Sequence, residues 1–425
     1  MTAHPYAIVV LGVIDHGRET TYFIHGSEAK ERFNERTQFQ IGSITKLFTA
    51  TILAQMVDAG QVKLSDPIQR YLPAGVTAPT YHGESITLLS LATHMSGLPG
   101  DPPNLRRMRN PQAYSVKMLD DALSQTKLTR APGAQWDYSN FGFAILGQIL
   151  ADRADLSYDD LIKNRILDPL GMNDTVVTGS PATRRNMAPA FEYGGAPTRP
   201  ESMGAIGPAG SIESDLKDMM IFLQANLDAP KGTLGRELAL TQKPRTKVPE
   251  WNMAMGLAWQ TVLPPTHHIS GDLGDLPSGW LEKGGNTDGY SSFIALEHTC
   301  DCGFVAMTNV NDNDFQQVIA HGISPATARM PVMWALVKPE PSSLSGKYVI
   351  TTGRRMTLDV FKYRGALYLW IPAATTPLEL TPIGKNSYAL KELQVTFTFH
   401  IGHSGRATGL TAVQWGRTMQ AKKMP

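Results

Sequence analysis

Ser43 and Lys46 stand three residues apart at the start of a helical pattern, a spacing that brings a hydroxyl and an amine to one side of a helix, one turn apart. Two other short segments could complete an acyl-transfer site. Tyr138-Ser139-Asn140 supplies a phenol and a carboxamide, and Lys283-Gly284-Gly285 supplies a second amine beside backbone bare of side chains. A lysine accepts a proton only when neutral, and its ordinary pKa is about 10.4, so such a site must favour the uncharged amine by desolvation or by a neighbouring cation. Lys283 is the candidate for that cation. Tyr138 is a candidate to share the proton traffic, because a phenol close to cations ionises more easily, and the Asn140 carboxamide is a candidate to hold Lys46 or a substrate amide.

The elements that must position these groups are readable around them. Ile44, Leu47, Phe48, Ile52, Leu53, Met56 and Val57 recur at helical spacing until Gly60, a natural stop, so Ser43 is expected at a helix N-terminus. Unpaired backbone N–H groups and the positive end of the helix dipole there favour negative charge on the serine oxygen or on a bound oxyanion. The Ser-x-x-Lys spacing alone says little, since it also falls at Ser27 to Lys30, Ser124 to Lys127 and Ser214 to Lys217, where a serine cap with a solvated lysine explains it. Only the copy at Ser43 opens a strongly apolar helix. Tyr-x-Asn occurs once, and its plain reading is a buried tyrosine with a helix-capping asparagine.

Taken together, the three segments resemble the serine β-lactamase and penicillin-binding-protein superfamily, in the branch of class C β-lactamases, low-molecular-weight DD-peptidases and family VIII carboxylesterases. The resemblance extends to Thr93-His94-Met95-Ser96-Gly97-Leu98-Pro99, to Asp168-Pro169-Leu170-Gly171-Met172, and to Ala209-Gly210-Ser211-Ile212 followed by Asp218-Met219. It covers roughly residues 5 to 335. It implies Ser43 as the nucleophile, Lys46 as its base, and Tyr138 as the group that protonates the leaving atom and activates the deacylating water. It further implies that Asn140 orients substrate and Lys46, and that the backbone N–H groups of Ser43 and Asn286 form an oxyanion hole, where one donor is commonly worth about a hundredfold in rate. The chemistry implied is metal-free and needs no cofactor.

The third segment departs from the family's usual Lys-Thr-Gly. Lys283-Gly284-Gly285 lacks the threonine hydroxyl that helps penicillin recognisers hold a substrate carboxylate, while Lys283 still offers a cation to an anionic group. The leading expectation is therefore a penicillin-binding or class C β-lactamase-like serine hydrolase acting on β-lactams or D-amino-acid peptides. Gly284 opens space that suits a carboxylesterase of small acyl esters as the alternative. A non-catalytic penicillin-binding sensor that acylates once is the third.

The fold expected from the resemblance is α/β (α+β): an antiparallel sheet flanked by helices, with an all-helical subdomain and a small C-terminal β-barrel. In the sequence, Tyr6 to Ile14 and Thr20 to His25 read as a strand pair turned at Asp15-His16-Gly17-Arg18. From Ser43 to about Asn226 the chain reads as helical with long loops, including an apolar stripe over Asn140 to Ala154 that core packing explains. Phe293 to Leu296 and Phe304 to Asn309 are expected to pair beside the strand carrying Lys283. From about Pro339 the chain becomes linker-like and then turns to short alternating segments, for example Met356 to Val360, Ala366 to Trp370, Gln394 to Ile401 and Thr411 to Trp415. This part resembles the lipocalin-like barrel appended to some penicillin-binding-protein-like peptidases. The expected division is residues 1–338 for the hydrolase and 339–425 for the all-β domain.

Composition narrows the function class. The 425 residues carry 42% hydrophobic content and a formal net charge of +1, enough to fill a core and no basis for a basic nucleic-acid-binding face. The substrate is expected to be a small molecule or a peptide, with oligomeric state left open. Arg106, Arg107 and Arg109 form the one dense basic stretch, read as a solvated loop near the cleft. Cys300 and Cys302 fall at an expected hairpin turn; a bond between residues so close would be strained and two thiols fall short of a structural zinc set, so free thiols are expected.

No run of about twenty apolar residues is present to span a membrane. Met1 to Pro5 leads straight into the first strand without the pattern of a signal peptide, so a cytoplasmic protein or a trimmed mature periplasmic form is expected. Other chemistries lack their parts: there is no Gly-x-Ser-x-Gly elbow, no His-Glu-x-x-His helix and no phosphate-binding loop. His94 reads as a packed loop residue, His267 and His268 as members of a Pro-rich loop, and His400 with His403 as too far apart along a strand to converge.

Overall fold

The computed structural model describes residues 5–26, 29, 33–105, 113–177, 179, 183–263, 276, 278–312, 315–316, 319, 342–351, 357–363, 366–370, 378–390, 395–402, 404–414 and 417–424. Arg106, Arg107, Arg109, His267, His268, His403 and the expected boundary at 338/339 lie outside the described residues. The chain forms two compact units, Met1–Ile319 and Ala320–Pro425.

In the first unit, β1 (Ile8–Asp15) and β2 (Arg18–His25) make a hairpin. β1 is buried along almost its whole length and reads as a continuous apolar run, whereas β2, at the sheet edge, alternates between exposed and half-buried residues. Next come β3 (Gln38–Gln40), a 3-10 turn (Gly42–Ile44) and α1 (Thr45–Asp58). Eleven residues of α1 are buried, polar Thr45, Lys46, Thr49 and Thr51 among them, so α1 is a central helix enclosed on all sides. Phe48 stacks on Phe222 at 4.2 Å between ring centres, joining α1 to a later helix.

The helical stretch holds a short hairpin, β4 (Thr80–Tyr81) with β5 (Glu84–Ser85), then α2 (Leu88–Ala92), α3 (Val116–Gln125), α4 (Asn140–Ala154), α5 (Tyr158–Ile162) and α6 (Asp168–Leu170). α4 starts where sequence chemistry dictates: the Ser139 side chain accepts from the Gly142 N–H at 2.9 Å as an N-cap. β6 (Glu213–Asp215) pairs with β3, and α7 (Leu216–Leu227), capped by Asp215, precedes α8 (Gly235–Gln242).

The sheet is completed by β7 (Thr246–Val248), β8 (Met253–Met255), β9 (Gln260–Val262), β10 (Leu281–Asn286), β11 (Ser291–Glu297) and β12 (Cys302–Thr308). Its eight strands run in the order β2-β1-β12-β11-β10-β9-β8-β7, each antiparallel to its neighbours, so the sheet's first strand pairs with its last, and one strand, β11, separates that pair from the strand bearing Lys283. Among the described residues no helix is long and apolar enough to cross a membrane.

The expectation of free thiols is corrected here. Cys300 and Cys302 are joined by a disulfide at the β11–β12 turn, where Asp301 between them adopts a left-handed conformation (φ 47°) that brings the two Cα atoms to 5.1 Å, within bridging span.

The second unit is a closed eight-stranded barrel running from Gly346–Ile350 to Arg417–Lys423, with each strand antiparallel to the next and the first paired to the last through Tyr348 and Lys423. Alternation builds it: in Val395–Ile401, Val395, Phe397 and Phe399 point into a core with Tyr348, Leu358 and Leu410, while Thr396, Thr398 and His400 are exposed. Among the described residues, closure leaves the barrel without an unpaired edge strand. Gly346–Ile350, Leu378–Gly384, Ser387–Leu390 and Arg417–Lys423 are strands of the barrel besides the segments named as examples above.

Candidate active site

Ser43 lies in the 3-10 turn that feeds α1, two residues before the helix proper. The turn is pressed against β10: Gly42 takes φ 48°, and a Cβ there would stand 2.7 Å from the Asn286 backbone, so only glycine fits. Gly285 is equally constrained, since a Cβ there would overlap the Ile41 carbonyl and stand 2.9 Å from the Ser43 nitrogen. Two glycines thus let a turn and a strand touch backbone to backbone. That contact brings the N–H of Ser43 close to the strand that ends at Asn286.

Three segments far apart in sequence meet at the Ser43 oxygen. Lys46 Nζ lies 2.9 Å from Ser43 Oγ, and the Tyr138 hydroxyl donates to the same oxygen at 2.5 Å. Lys46 also donates to Asn140 Oδ1 at 2.8 Å and to the Ala209 carbonyl at 2.6 Å. Two N–H bonds are therefore committed to carbonyl acceptors, so a neutral amine directs its lone pair at the serine hydroxyl. Lys283 Nζ stands 5.0 Å from the centre of the Tyr138 ring, with Lys46 Nζ at 4.8 Å from it.

Burial sets the charge of these groups. Lys46 is 0% and Lys283 2% exposed. Desolvation, then the nearby Lys283 charge, holds the Lys46 pKa well below its ordinary value, with Asp101 opposing. Desolvation also lowers Lys283, to about 8, against the pull of Glu282. The expectation that Tyr138 ionises more easily is overturned: desolvation raises its pKa, outweighing the lowering effect of its Ser43 hydrogen bond. Burial thus favours the neutral phenol, in keeping with the hydrogen bond that Tyr138 donates to Ser43 Oγ. His94, packed 4.4 Å from the Tyr138 ring, accepts the Ser139 N–H at Nδ1, and burial followed by the two lysines lowers its pKa well below the ordinary value, so it is a neutral support.

β10 presents the remaining residues. It pairs with β11 along its full length but with β9 only through Leu281 and Glu282, so among the described residues no strand flanks Lys283 to Asn286 on that side. A small cleft opens beside Ser43, lined by Asn140, Asn286, Asp101, Glu201, Met203 and Ile206. The structure thus brings together Ser43, Lys46, Tyr138, Asn140 and Lys283, with Gly284, Gly285 and Asn286 along the strand. Sequence reasoning missed Asp101, which accepts from Asn140 Nδ2 at 3.0 Å, and Glu201, whose pKa burial raises to about 7. Neither belongs to a motif. The Ala209 carbonyl did carry a signal, since Ala209-Gly210-Ser211 was one of the resembling segments, though a backbone role has no signature in residue type.

Known proteins are similar to this chain in sequence and in fold. The family described as Beta-lactamase matches residues 4–325. The D-alanyl-D-alanine-carboxypeptidase/endopeptidase AmpH of Escherichia coli K12 is 32% identical over 317 residues, covering 71% of this chain and 79% of that protein. A beta-lactamase of the same organism is 29% identical over 310 residues, covering 66% and 78%. Among solved structures, a beta-lactamase/D-alanine carboxypeptidase from Yersinia pestis, complexed with citrate, superposes with a TM-score of 0.65 at 25% identity over 77% of this chain and 94% of that one.

Proposed function

The chain belongs to the β-lactamase family, and on that premise we propose that it works through an acyl-Ser43 intermediate with Lys46 as base and Tyr138 as proton donor. It is a penicillin-binding, class C β-lactamase-like serine hydrolase. The observation that carries the residue roles is the setting of Lys46, a buried amine with two carbonyl acceptors and the serine oxygen around it.

In acylation the Ser43 oxygen attacks the substrate carbonyl carbon while its proton passes to Lys46. The N–H groups of Ser43 and Asn286 meet the charge that develops on the carbonyl oxygen. The scissile bond then breaks as Tyr138 gives its proton to the leaving atom, and the Lys46 ammonium returns one to the phenol. Water attacks the acyl ester, its proton is taken up by the same pair, and Ser43 leaves with a proton. Asn140 holds Lys46 in place, itself steadied by Asp101.

The substrates supported best are β-lactams or D-amino-acid peptides that carry a carboxylate. Lys283, with a pKa of about 8, remains cationic at neutral pH, and the edge of β10 past Glu282, which no described strand flanks, lies where an extended acyl chain could run. The near-neutral net charge favours a small molecule or peptide over nucleic acid. The expectation that Gly284 opens space is corrected, because the Gln316 carboxamide fills that place; the second reading, a carboxylesterase of small acyl esters, rests on the missing threonine hydroxyl alone. We assign this chemistry to residues 1–338 and treat 339–425 as a separate all-β domain.

Rates on nitrocefin, a D-Ala-D-Ala peptide and p-nitrophenyl butyrate, measured side by side with Ser43→Ala as control, test the proposal. Turnover of the first two, abolished in Ser43→Ala, is expected. Turnover of the ester alone selects the second reading. A permanent β-lactam adduct by intact mass selects a sensor, and a Ser43→Ala protein that keeps its activity overturns the assignment.

A further inference from the structure

Gly284 leaves β10 without a side chain at the centre of its open edge, and another part of the chain occupies the vacated place. A Cβ added at 284 would overlap the Oε1, Cδ and Nε2 atoms of Gln316. The carboxamide therefore lies directly on the Gly284 Cα, where a side chain of that residue would begin. Its Nε2 also points at Asn286 Oδ1, 3.4 Å away. Residues 284 and 286 share one face of the strand, and 283 and 285 the other, so Gln316 covers two successive positions of one face beside the edge that bears Lys283.

We propose that Gln316 is a specificity-determining residue which supplies, from outside the strand, the neutral hydrogen-bond donor that position 284 lacks, and so reads the carboxylate of a substrate lying along β10 together with Lys283. The inference rests on the proposed role of Lys283 as the anion-binding cation. A carboxamide suits the task because it can turn an N–H toward the anion without adding a charge that would compete for Tyr138, and hydrogen bonds to ionised groups are among the stronger ones. A second cation here would depress the Lys46 amine further; a carboxylate would repel the substrate.

The readout is the ratio of kcat/KM on nitrocefin, which carries a carboxylate, to kcat/KM on neutral p-nitrophenyl butyrate. Gln316→Ala is expected to lower this ratio about tenfold, the scale of one hydrogen bond to a charged group. Gln316→Glu keeps the volume but reverses the electrostatics, and is expected to lower the ratio further. The double variant Gly284→Thr with Gln316→Ala, which restores a hydroxyl once the carboxamide has made room, is expected to recover the ratio to within about threefold of the native value. A ratio unmoved by both single Gln316 variants, or a double variant no better than Gln316→Ala, overturns the inference. Lys283→Ala separates the two layers: if it lowers the ratio while the Gln316 variants do not, only the role of Gln316 falls, and if neither changes it, the anion-binding reading of Lys283 falls as well.

Discussion

The C-terminal barrel and the cleft at Ser43 treat polar groups in opposite ways. In the barrel, strands such as Val395–Ile401 send Val395, Phe397 and Phe399 inward and leave Thr396, Thr398 and His400 outside. In the cleft, Lys46, Lys283, His94 and Ser139 are all buried, and glycine stands where a core would place a side chain. The barrel obeys the pattern that stabilises a fold; the cleft breaks it with residues whose desolvation is unfavourable. The difference teaches where function resides, since such departures persist only where the surroundings hold them and the chemistry needs them.

Replacing the buried amine gives the sharpest test of that contrast. Lys46→Met keeps the volume and removes the desolvated charge, so the rate is expected to fall by about a thousandfold or more while thermal stability stays equal or rises. Steady-state kinetics beside calorimetry would read both, and a variant that loses stability as it loses activity would break the comparison. In the barrel the sign reverses. Phe399→Ala removes a side chain that packs on Tyr348 and Tyr388, and should lower the stability of that unit by about 3 to 5 kcal/mol in denaturant unfolding.

A smaller effect is expected from pH. Desolvation lowers the Lys283 pKa to about 8, so its cationic form persists below that value and is lost above it. The rate constant kcat/KM for carboxylate-bearing substrates should therefore decline as pH rises through about 8, on a limb absent for a neutral ester; parallel profiles for both substrates would remove Lys283 from anion binding. The smallest effect belongs to the barrel surface, where exposed Ile383→Ser should shift stability by no more than about 0.5 kcal/mol.

Much of the frame was legible in the residues because it is written in local periodicity. The β1–β2 hairpin, α4 from Asn140 to Ala154 and the pairing of the strands after Lys283 each follow from runs of apolar residues at a fixed spacing. Other features depend on distant partners. Arg417–Lys423 carries few apolar residues, and its strand conformation comes from closing the barrel against Gly346–Ile350. Asp101 and Glu201 reach the cleft, and Gln316 reaches Asn286 and Gly284 on β10, by chain topology, with no motif of their own. The proton affinity of Tyr138 turned on depth of burial, a quantity that residue type and spacing do not encode. The Cys300–Cys302 bond likewise turned on a left-handed Asp301.

The cage around Lys46 has one more consequence. Its three contacts, the Asn140 and Ala209 oxygens and Ser43 Oγ, suit the amine before it takes a proton and the ammonium afterwards, because each oxygen can accept an N–H. The hydrogen then crosses a short gap while the heavier atoms keep their posts, and no solvent dipoles need to be rearranged around the newborn ion. A single rigid socket therefore serves both halves of the cycle, the one that loads the acyl group and the one that releases it.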